Sequence, residues 1–270
     1  MIQVRSISQT YIGGIKALGP TSIDFRAGEF TVLLGPSGAG KSTLLRCLNL
    51  LTAPSTGEVR VAELGELKSR RIIRMHRLRT GMIFQQHQLI GRYSVLDNVL
   101  IGRIGFHGAL RSLLPLPRRD QLLAMACLDQ VGLAHKALER ADRLSGGEQQ
   151  RLGIARALAQ RPRLILADEP VASLDPATAS HVLSLLHQIS KAETLTVIVS
   201  LHQVEFAKAF ADRIIGLSQG QVVFDGTVNQ LTTKALERIY ARSAPVSHRE
   251  IEQNAEPVRA TMSQFSSIPQ

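Results

Sequence analysis

Short, mainly apolar runs alternate along this chain with longer segments in which apolar residues recur every three or four positions. The short runs predict buried strands of a parallel sheet, and they lie at residues 30–34, 81–84, 164–167 and 195–199. Residues 1–34 as a whole have the pattern of β structure. Two further runs around Ser218-Gln-Gly220 predict a hairpin at residues 213–217 and 221–224.

The intervals between these strands carry helical periodicity. A helix is predicted from Ser42 to a point before Pro54, and a turn at residues 55–57 follows it. The remaining predicted helices are a basic helix at 66–79, a helix at 120–131, one that begins after Ser145 as N-cap, and helices at 181–189 and 204–211. Strands that alternate with helices in this way predict an α/β fold.

Three regions follow from this order of elements. The α/β core is predicted at about residues 1–85 and 157–226, and a mainly helical subdomain at about 86–156, interrupted by a loop at 113–117, is inserted into it. The domain is expected to end near residue 242. Residues 243–270 are polar and patternless, and we expect a mobile tail there.

Composition narrows the class of protein. Hydrophobic residues make up 44% of the 270 residues, enough for a substantial core. No apolar run is long enough to predict a transmembrane helix, and the first residues lack the apolar segment of a signal peptide. Cys47 and Cys127 are lone and far apart, which argues against a disulfide framework or a zinc site and fits a reducing cytoplasm.

The net charge is +10, and the densest basic cluster spans residues 68–79. Its members are Lys68, Arg70, Arg71, Arg74, Arg77 and Arg79. A solvated helix face is the favoured interpretation, and contact with lipid headgroups or a membrane partner is the next. Specific binding to nucleic acid ranks last because no aromatic residues interleave with the cluster and no nucleic-acid motif accompanies it.

A glycine-rich loop between the first buried strand and the next helix carries candidate phosphate chemistry. Gly35-x-x-x-x-Gly40-Lys41-Ser42 fits the Walker A pattern of nucleoside triphosphatases. Its N–H groups and the helix dipole would bind phosphate, with Lys41 on the β- and γ-phosphates and Ser42 on Mg²⁺. The candidate ATP-binding residues here are Gly35, Pro36, Ser37, Gly38, Ala39, Gly40, Lys41, Ser42 and Thr43. The flanking strand and helix disfavour a chance glycine loop.

Two adjacent acids follow the strand predicted at 164–167. Asp168 and Glu169 stand at its carboxyl end, where sites form in α/β sheets. In this Walker B arrangement Asp168 would hold Mg²⁺ and Glu169 would act as the general base for water. Taken alone, the pair would equally fit a helix N-cap with solvated charge. The Walker A loop tips the balance towards catalysis.

The segment Leu144-Ser-Gly-Gly-Glu-Gln-Gln-Arg151 lies between these two motifs. With it, residues 1 to about 240 resemble the ATPase subunit of an ATP-binding-cassette (ABC) transporter. The resemblance implies a P-loop NTPase fold with a RecA-like core, an N-terminal antiparallel β part and an inserted helical subdomain. It also implies ATP and Mg²⁺ as cofactors and a homodimer of ATPase subunits.

The resemblance assigns roles to single residues. Tyr11 would stack on adenine, although an ordinary half-buried tyrosine fits the same pattern. Gln85 would contact Mg²⁺ or the attacking water, with a one-residue slip to Gln86 left open. Asp175 would belong to the loop that crosses the dimer interface, and His202 would contact the γ-phosphate.

The signature segment would act on the ATP of the other subunit. Ser145 and the N–H groups of Gly146 and Gly147 begin a predicted helix and would clamp the γ-phosphate held by the partner's Walker A loop. Glu148 departs from the glutamine that is commoner in the family. Its carboxylate can accept hydrogen bonds from ribose hydroxyls but cannot donate them.

The finer resemblance is to the ATPases of phosphonate importers, with phosphite importers nearly the same. It rests on residues 84–92, 94–103, 167–175 and 200–204. It implies an integral membrane permease dimer, a periplasmic or lipoprotein substrate-binding protein that acts indirectly, no specific nucleic acid, and a peripheral position on the cytoplasmic face of the inner membrane. Tyr93 and residues 95–99 are candidates for the permease groove, although packing within the subdomain explains each equally well.

Two alternatives from other classes remain at this point. A soluble ABC ATPase that acts on DNA or ribosomes would need a long coiled-coil insertion or a second cassette, and residues 42–144 carry no heptad run. An exporter or a lipid-handling ATPase is disfavoured by the segments at 84–92 and 200–204.

Overall fold

A computed structural model of the chain describes residues 2–85, 88–108 and 114–240, and these belong to one compact unit. Its strands are β1 (Ile2–Thr10), β2 (Lys16–Phe25), β3 (Phe30–Leu34), β4 (Thr56–Val61), β5 (Gly65–Glu66), β6 (Thr80–Ile83), β7 (Leu164–Asp168), β8 (Thr196–Leu201), β9 (Arg213–Ser218) and β10 (Gln221–Gly226). Its α-helices are α1 (Lys41–Leu48), α2 (Arg70–Leu78), α3 (Val95–Ile104), α4 (Arg118–Gln130), α5 (Gly146–Leu158), α6 (Pro176–Ala192), α7 (Val204–Phe210) and α8 (Thr233–Tyr240). The tail predicted at 243–270 lies outside the described residues.

The central sheet has the strand order β10-β9-β3-β8-β7-β6, and every pairing except β9–β10 is parallel. All residues of β3, β7 and β8 are buried, as expected for strands covered on both faces. The register pairs Leu34 with Leu201 and Asp168 with Ser200. The carboxyl ends of β3, β7 and β8 therefore meet at one edge of the sheet, and the α/β core predicted from the apolar runs is confirmed.

A second, antiparallel sheet of order β2-β1-β4-β5 packs beside the core. Buried side chains of β1 and β2 join those of α1 and one face of the central sheet in a single apolar cluster; Val4, Phe25, Leu33, Leu44 and Ile198 belong to it. The expected N-terminal antiparallel β part is therefore present, and it covers one side of the phosphate-loop helix.

The turn predicted at residues 55–57 is wrong. Thr56 and Gly57 open β4, and Thr56 pairs with Ser8 of β1. Gly57 has a positive φ of 79°, and a Cβ there would lie 2.4 Å from the backbone oxygen of Arg5. The glycine serves a close approach of two strands rather than a reversal of the chain.

Among the described residues, helices α3, α4 and α5 form the inserted subdomain. Helix α3 packs on α4 and α5 through buried apolar residues, among them Val95, Val99, Leu128 and Leu152. Other boundaries differ from prediction because capping moves them: Ser69 caps α2, and Asp175 caps α6 several residues before the predicted start. Helix α8 has no counterpart among the predicted elements.

The basic cluster lies on and around α2. Much of its charge is engaged: Lys68 pairs with Glu66 at 2.8 Å, Arg79 pairs with Glu63 at 3.0 Å, and Arg77 donates to the backbone oxygen of Asn49 at 3.2 Å. Cys47 and Cys127 are both free and buried. No helix in the described ranges 2–85, 88–108 and 114–240 is long and apolar enough to cross a membrane.

A buried ion pair ties α3 to α4. Asp120, only 3% exposed, accepts from Arg103 Nε at 2.9 Å and pairs with His107 Nε2 at 2.6 Å. Arg103 also donates to the backbone oxygen of Ala159 at 3.1 Å, after the end of α5. Burial alone would raise the pKa of Asp120, but the hydrogen bonds from His107 and Arg103 outweigh burial and hold that pKa below its usual value.

Asp120→Ala should therefore destabilise the protein at neutral pH by about 2–4 kcal/mol, because it leaves Arg103 buried without its carboxylate. The pKa of Asp120 is lower in the folded protein than in the unfolded chain. Its contribution to the free energy of unfolding is therefore complete above the unfolded pKa of about 3.9 and is lost as pH falls through the folded pKa. Urea unfolding should show that the difference in free energy of unfolding between variant and parent is smaller at acidic pH than at neutral pH. Asp129→Ala, at an exposed position on the same helix, should leave the free energy of unfolding near the parent's at both pH values.

Candidate functional site

The phosphate loop connects β3 to α1, and two of its glycines are required by close backbone contacts. A Cβ at Gly35 would lie 2.3 Å from the backbone oxygen of Leu217. A Cβ at Gly40 would lie 2.7 Å from that of Ala17, and Gly40 has a φ of 97°. Neighbouring strands thus press on the loop from both sides, and only glycine fits at these points.

Lys41 is the first residue of α1 and is only 3% exposed. Its Nζ donates to the backbone oxygens of Gly35 at 2.7 Å and Pro36 at 3.0 Å, and it lies 3.5 Å from Glu169 Oε1. Burial lowers the pKa of Lys41, while the carboxylates of Glu169 and Asp168 oppose that shift. The loop therefore encloses a cation at the N-terminus of a helix, where anions bind.

A hydroxyl and a carboxylate oxygen meet beside this lysine. Ser42 Oγ donates to Asp168 Oδ1 at 2.7 Å. Both are hard oxygen donors of the kind that Mg²⁺ prefers, and Mg²⁺ is commonly held by one or two protein ligands together with substrate phosphates. The described residues include no cluster of three or more His, Cys, Asp or Glu that could bind a metal alone. Ser42 and Asp168 therefore fit a magnesium ion that shares its coordination with a nucleotide.

Ser200 links the two strands that carry the acids, and the sequence analysis did not single it out. Its Oγ donates to Asp168 Oδ1 at 3.0 Å and accepts from the backbone N–H of Glu169 at 2.8 Å. The side chain is completely buried at the end of β8. A serine at the carboxyl end of a buried strand, two positions before His202, is the signal that could have found it.

Glu169 lies within 4 Å of both Lys41 and His202. Glu169 adopts a φ of 45°, a left-handed conformation that is costly for a side chain larger than glycine. Its Oε1 lies 3.5 Å from Lys41 Nζ and 3.9 Å from His202 Nδ1, and that buried nitrogen has no hydrogen-bond partner in the described residues. Tyr240 Oη donates to the backbone oxygen of His202 at 2.6 Å, so α8 holds the histidine segment in place.

Tyr11 and Gln85 follow strands β1 and β6. Tyr11 is in the tight turn after β1, where its N–H donates to the oxygen of Ile15 at 2.9 Å, and its side chain is half-exposed. Gln85 follows β6 at the same sheet edge and lines a cleft with Gln149 and Ser173. Gln86, the other candidate for its role, lies outside the described residues.

The signature segment lies at the N-terminus of α5. Ser145 caps α5 and makes a reciprocal capping box with Glu148. Gly147 packs so closely on α6 that a Cβ would lie 2.5 Å from Thr178 Cγ2. Within the described residues, no hydrogen bond or ion pair joins residues 145–148 to residues 35–43.

Asp175 lies beside the signature segment and lines one cleft with it. Its Oδ1 accepts from the N–H groups of Ala177 at 3.1 Å and Thr178 at 3.0 Å. Hydrogen bonds from Thr178, first from its side chain and then from its backbone, lower the pKa of Asp175. This carboxylate therefore caps α6.

Three of the six residues suggested for a permease groove do not reach the surface. Val95 and Val99 are completely buried in the subdomain core, as is Asn98. Tyr93 is half-exposed and remains available. The buried members of the segment pack α3 on α4 and α5, and the groove stays a prediction for Tyr93, Leu96 and Asp97.

Comparison with known proteins decides the family. The family model described as ABC transporter matches residues 18–172, more than half of the chain. The chain belongs to the ABC transporter family. The resemblance noted from residues 144–151 and the motifs on either side of it is thereby confirmed, together with the ATPase activity that the family performs.

Curated relatives of this ABC ATPase match over most of their length. A phosphite import ATP-binding protein of Stutzerimonas stutzeri is 62% identical over 241 residues, which is 89% of this chain and 87% of the relative. A phosphonates import ATP-binding protein of a Nostoc species is 53% identical over 258 residues, covering 96% and 98% of the two chains.

Solved structures show the same fold. The dimeric structure of a bacterial ABC transporter cassette aligns with a TM-score of 0.74 at 33% identity and covers 84% of this chain and 99% of the other. The ADP conformation of another ABC transporter cassette aligns with a TM-score of 0.78 at 26% identity and covers 90% and 99%. The expected P-loop NTPase fold is confirmed.

Ser200→Ala should reduce hydrolysis more than nucleotide binding. Without the hydroxyl, Asp168 loses one hydrogen bond and the strained Glu169 backbone loses its anchor, so both acids are held less firmly. We expect kcat to fall about tenfold, with nucleotide affinity changed much less, as measured by steady-state ATPase and nucleotide-binding assays. Ser190→Ala removes an equally buried hydroxyl that bonds to His187 in α6, and it should leave kcat near the parent's.

Proposed function

We propose that this chain is the ATP-hydrolysing subunit of an ABC importer for phosphite, phosphonates or related phosphorus compounds. The observation that carries the proposal is the convergence of Lys41, Asp168 and Glu169 at one sheet edge of an ABC cassette. The substrate class is supported by the 62% and 53% identity to the phosphite and phosphonates import proteins.

In this proposal the residues of the sheet edge divide the work on one ATP. The loop N–H groups and Lys41 bind the β- and γ-phosphates, and Tyr11 stacks on adenine. Ser42 and Asp168 hold Mg²⁺, with Gln85 at its border; the ion, when bound, neutralises charge that builds up on the phosphate oxygens. Glu169 accepts the proton of the attacking water, and His202 contacts the γ-phosphate from the other side.

The position of the signature segment supports a homodimer. In the part of the chain that the structure describes, residues 145–148 make no hydrogen bond or ion pair to the phosphate loop of the same chain, and in this proposal they bind the ATP held by a second copy. Asp175 caps the adjoining helix α6 and lines the same cleft. The existence of a dimeric structure for a cassette that is 33% identical supports this arrangement. Each copy therefore supplies two half-sites, and two copies complete two ATP sites.

The cassette works with separate membrane proteins in this proposal. A permease dimer receives the mechanical output on the cytoplasmic face of the inner membrane, and a periplasmic or lipoprotein binding protein delivers the substrate. Substrate identity is then read by those partners. The chain itself contributes the ATP cycle, and nothing in the proposal assigns it a contact with phosphite or with nucleic acid.

Glu169→Gln should preserve ATP binding and lower hydrolysis by at least about 100-fold, since the amide cannot accept the proton of water. The variant should accumulate as an ATP-bound dimer, measured by size-exclusion chromatography with and without ATP. Glu193→Gln changes a carboxylate that bonds to Gln130 far from the phosphate loop and should behave like the parent. If the Glu169→Gln variant hydrolyses ATP at the parent rate, the assignment of Glu169 as the general base is wrong.

The transport role is tested in cells. Deletion of this subunit should abolish growth on phosphite or a phosphonate as sole phosphorus source while growth on phosphate persists, and the parent chain should restore it where Lys41→Ala does not. Stimulation of the ATPase by DNA or ribosomes, with uptake unaffected by the deletion, would support the soluble alternative instead. Drug or lipid export with unaltered uptake would support the exporter.

A further inference from the structure

Both carboxylate oxygens of Glu148, the residue that departs from the commoner glutamine, are engaged. Oε2 accepts from the backbone N–H of Ser145 at 2.9 Å and from Ser145 Oγ at 2.8 Å. Oε1 pairs with Lys136 Nζ at 2.7 Å. The Glu148 side chain is 18% exposed and that of Lys136 is 25% exposed, so neither partner is fully hydrated. The carboxylate is therefore fixed in one orientation.

A carboxylate at this place creates an electrostatic conflict. The first turn of α5 points its N–H groups outward, and a phosphate that binds there would meet the negative charge of Glu148. Hydrogen bonds from Lys136 and then from the Ser145 N–H lower the pKa of Glu148 to about 2, so the charge persists at every physiological pH. An uncompensated carboxylate would satisfy the helix dipole itself and repel the phosphate.

Lys136 is well placed to remove that conflict. It ends a short 3₁₀ turn, Ala134–Lys136, that precedes the signature segment. Its backbone is held on both sides, because its N–H donates to the oxygen of Leu133 at 3.0 Å and its own oxygen accepts from Glu139 at 2.9 Å. The ammonium therefore reaches Glu148 from a fixed backbone rather than from a free chain.

We infer that Lys136 is a positioning residue of the signature site: it neutralises Glu148 and holds the carboxylate against Ser145, so that the N-terminus of α5 can accept the phosphate of a nucleotide held by a second copy. This inference rests on the proposed homodimer. Lys136 itself touches neither ATP nor water in this role. It allows a glutamate to occupy a position where a neutral glutamine would need no such partner.

A double-mutant cycle tests the inference. In a Glu169→Gln background, Lys136→Met should raise the ATP concentration needed for half-maximal dimer formation about fivefold, the effect of one charge at a helix N-terminus. The same substitution should lower steady-state ATPase of the otherwise unaltered chain at limiting ATP. In a Glu148→Gln background, where the capping box survives and the charge does not, Lys136→Met should have no further effect on either measurement.

The controls separate electrostatics from folding. Lys136→Arg keeps the charge and should retain most of the parent's dimer formation, whereas Lys68→Met removes a Lys–Glu pair of similar length, 2.8 Å, away from α5 and should change nothing. If Lys136→Met acts equally with and without the Glu148→Gln substitution, Lys136 has only a structural role and the inference is wrong. If the Glu169→Gln protein forms no ATP-dependent dimer at all, the proposed homodimer fails instead.

Discussion

The burial of one cation, Lys41, sets the constraint around which the rest of this cassette is arranged. An ammonium that is 3% exposed is stable only if carbonyl oxygens and carboxylates surround it. Two loop carbonyls, at 2.7 and 3.0 Å, supply part of that environment, and Glu169 at 3.5 Å supplies the opposite charge. The loop can take this shape only because glycine at 35 and 40 lets strands press against it. The loop and the Glu169 carboxylate, which stabilise the buried ammonium, are also the groups that a bound triphosphate would contact.

The parallel register delivers the acids to this cation. Asp168 lies opposite Ser200 at the end of adjacent strands, and the serine hydroxyl ties the Asp168 carboxylate to the Glu169 backbone. That hydrogen bond helps to hold Glu169 at a φ of 45°, a conformation that a non-glycine residue rarely adopts unless its surroundings hold it there. The pairing of the buried strands β7 and β8 thus maintains the costly backbone conformation of Glu169 and places its carboxylate near Lys41.

Local patterns predicted those parts of the fold and site that depend on near neighbours in sequence. Apolar runs located β3, β7 and β8, and the motif spacing located Lys41, Ser42 and Asp168 beside one another. The turn predicted at Gly57 failed because its glycine answers a contact with Arg5, 52 positions away in sequence. The role of Ser200 and the Tyr240 bond to His202 likewise depend on strand order and on a helix that carries no motif. Val95 and Val99 looked like a groove because periodicity shows an apolar face without showing what covers it.

Two helix N-termini of the cassette, those of α1 and α5, meet the same electrostatic demand in opposite ways. Helix α1 begins with a buried lysine whose charge adds to the dipole, so anion binding and folding compete for one ammonium. Helix α5 carries in its first turn a carboxylate that opposes anion binding, and Lys136 from the preceding 3₁₀ turn neutralises that carboxylate at 2.7 Å. In both cases a lysine lies within reach of the helix's first turn: Lys41 is enclosed by the phosphate loop, and Lys136, the outer lysine, belongs to the turn that precedes the signature segment. Since the outer lysine is required only while position 148 carries a charge, Glu148 can be exchanged for a neutral residue alone, whereas Lys136 can be lost only after that exchange.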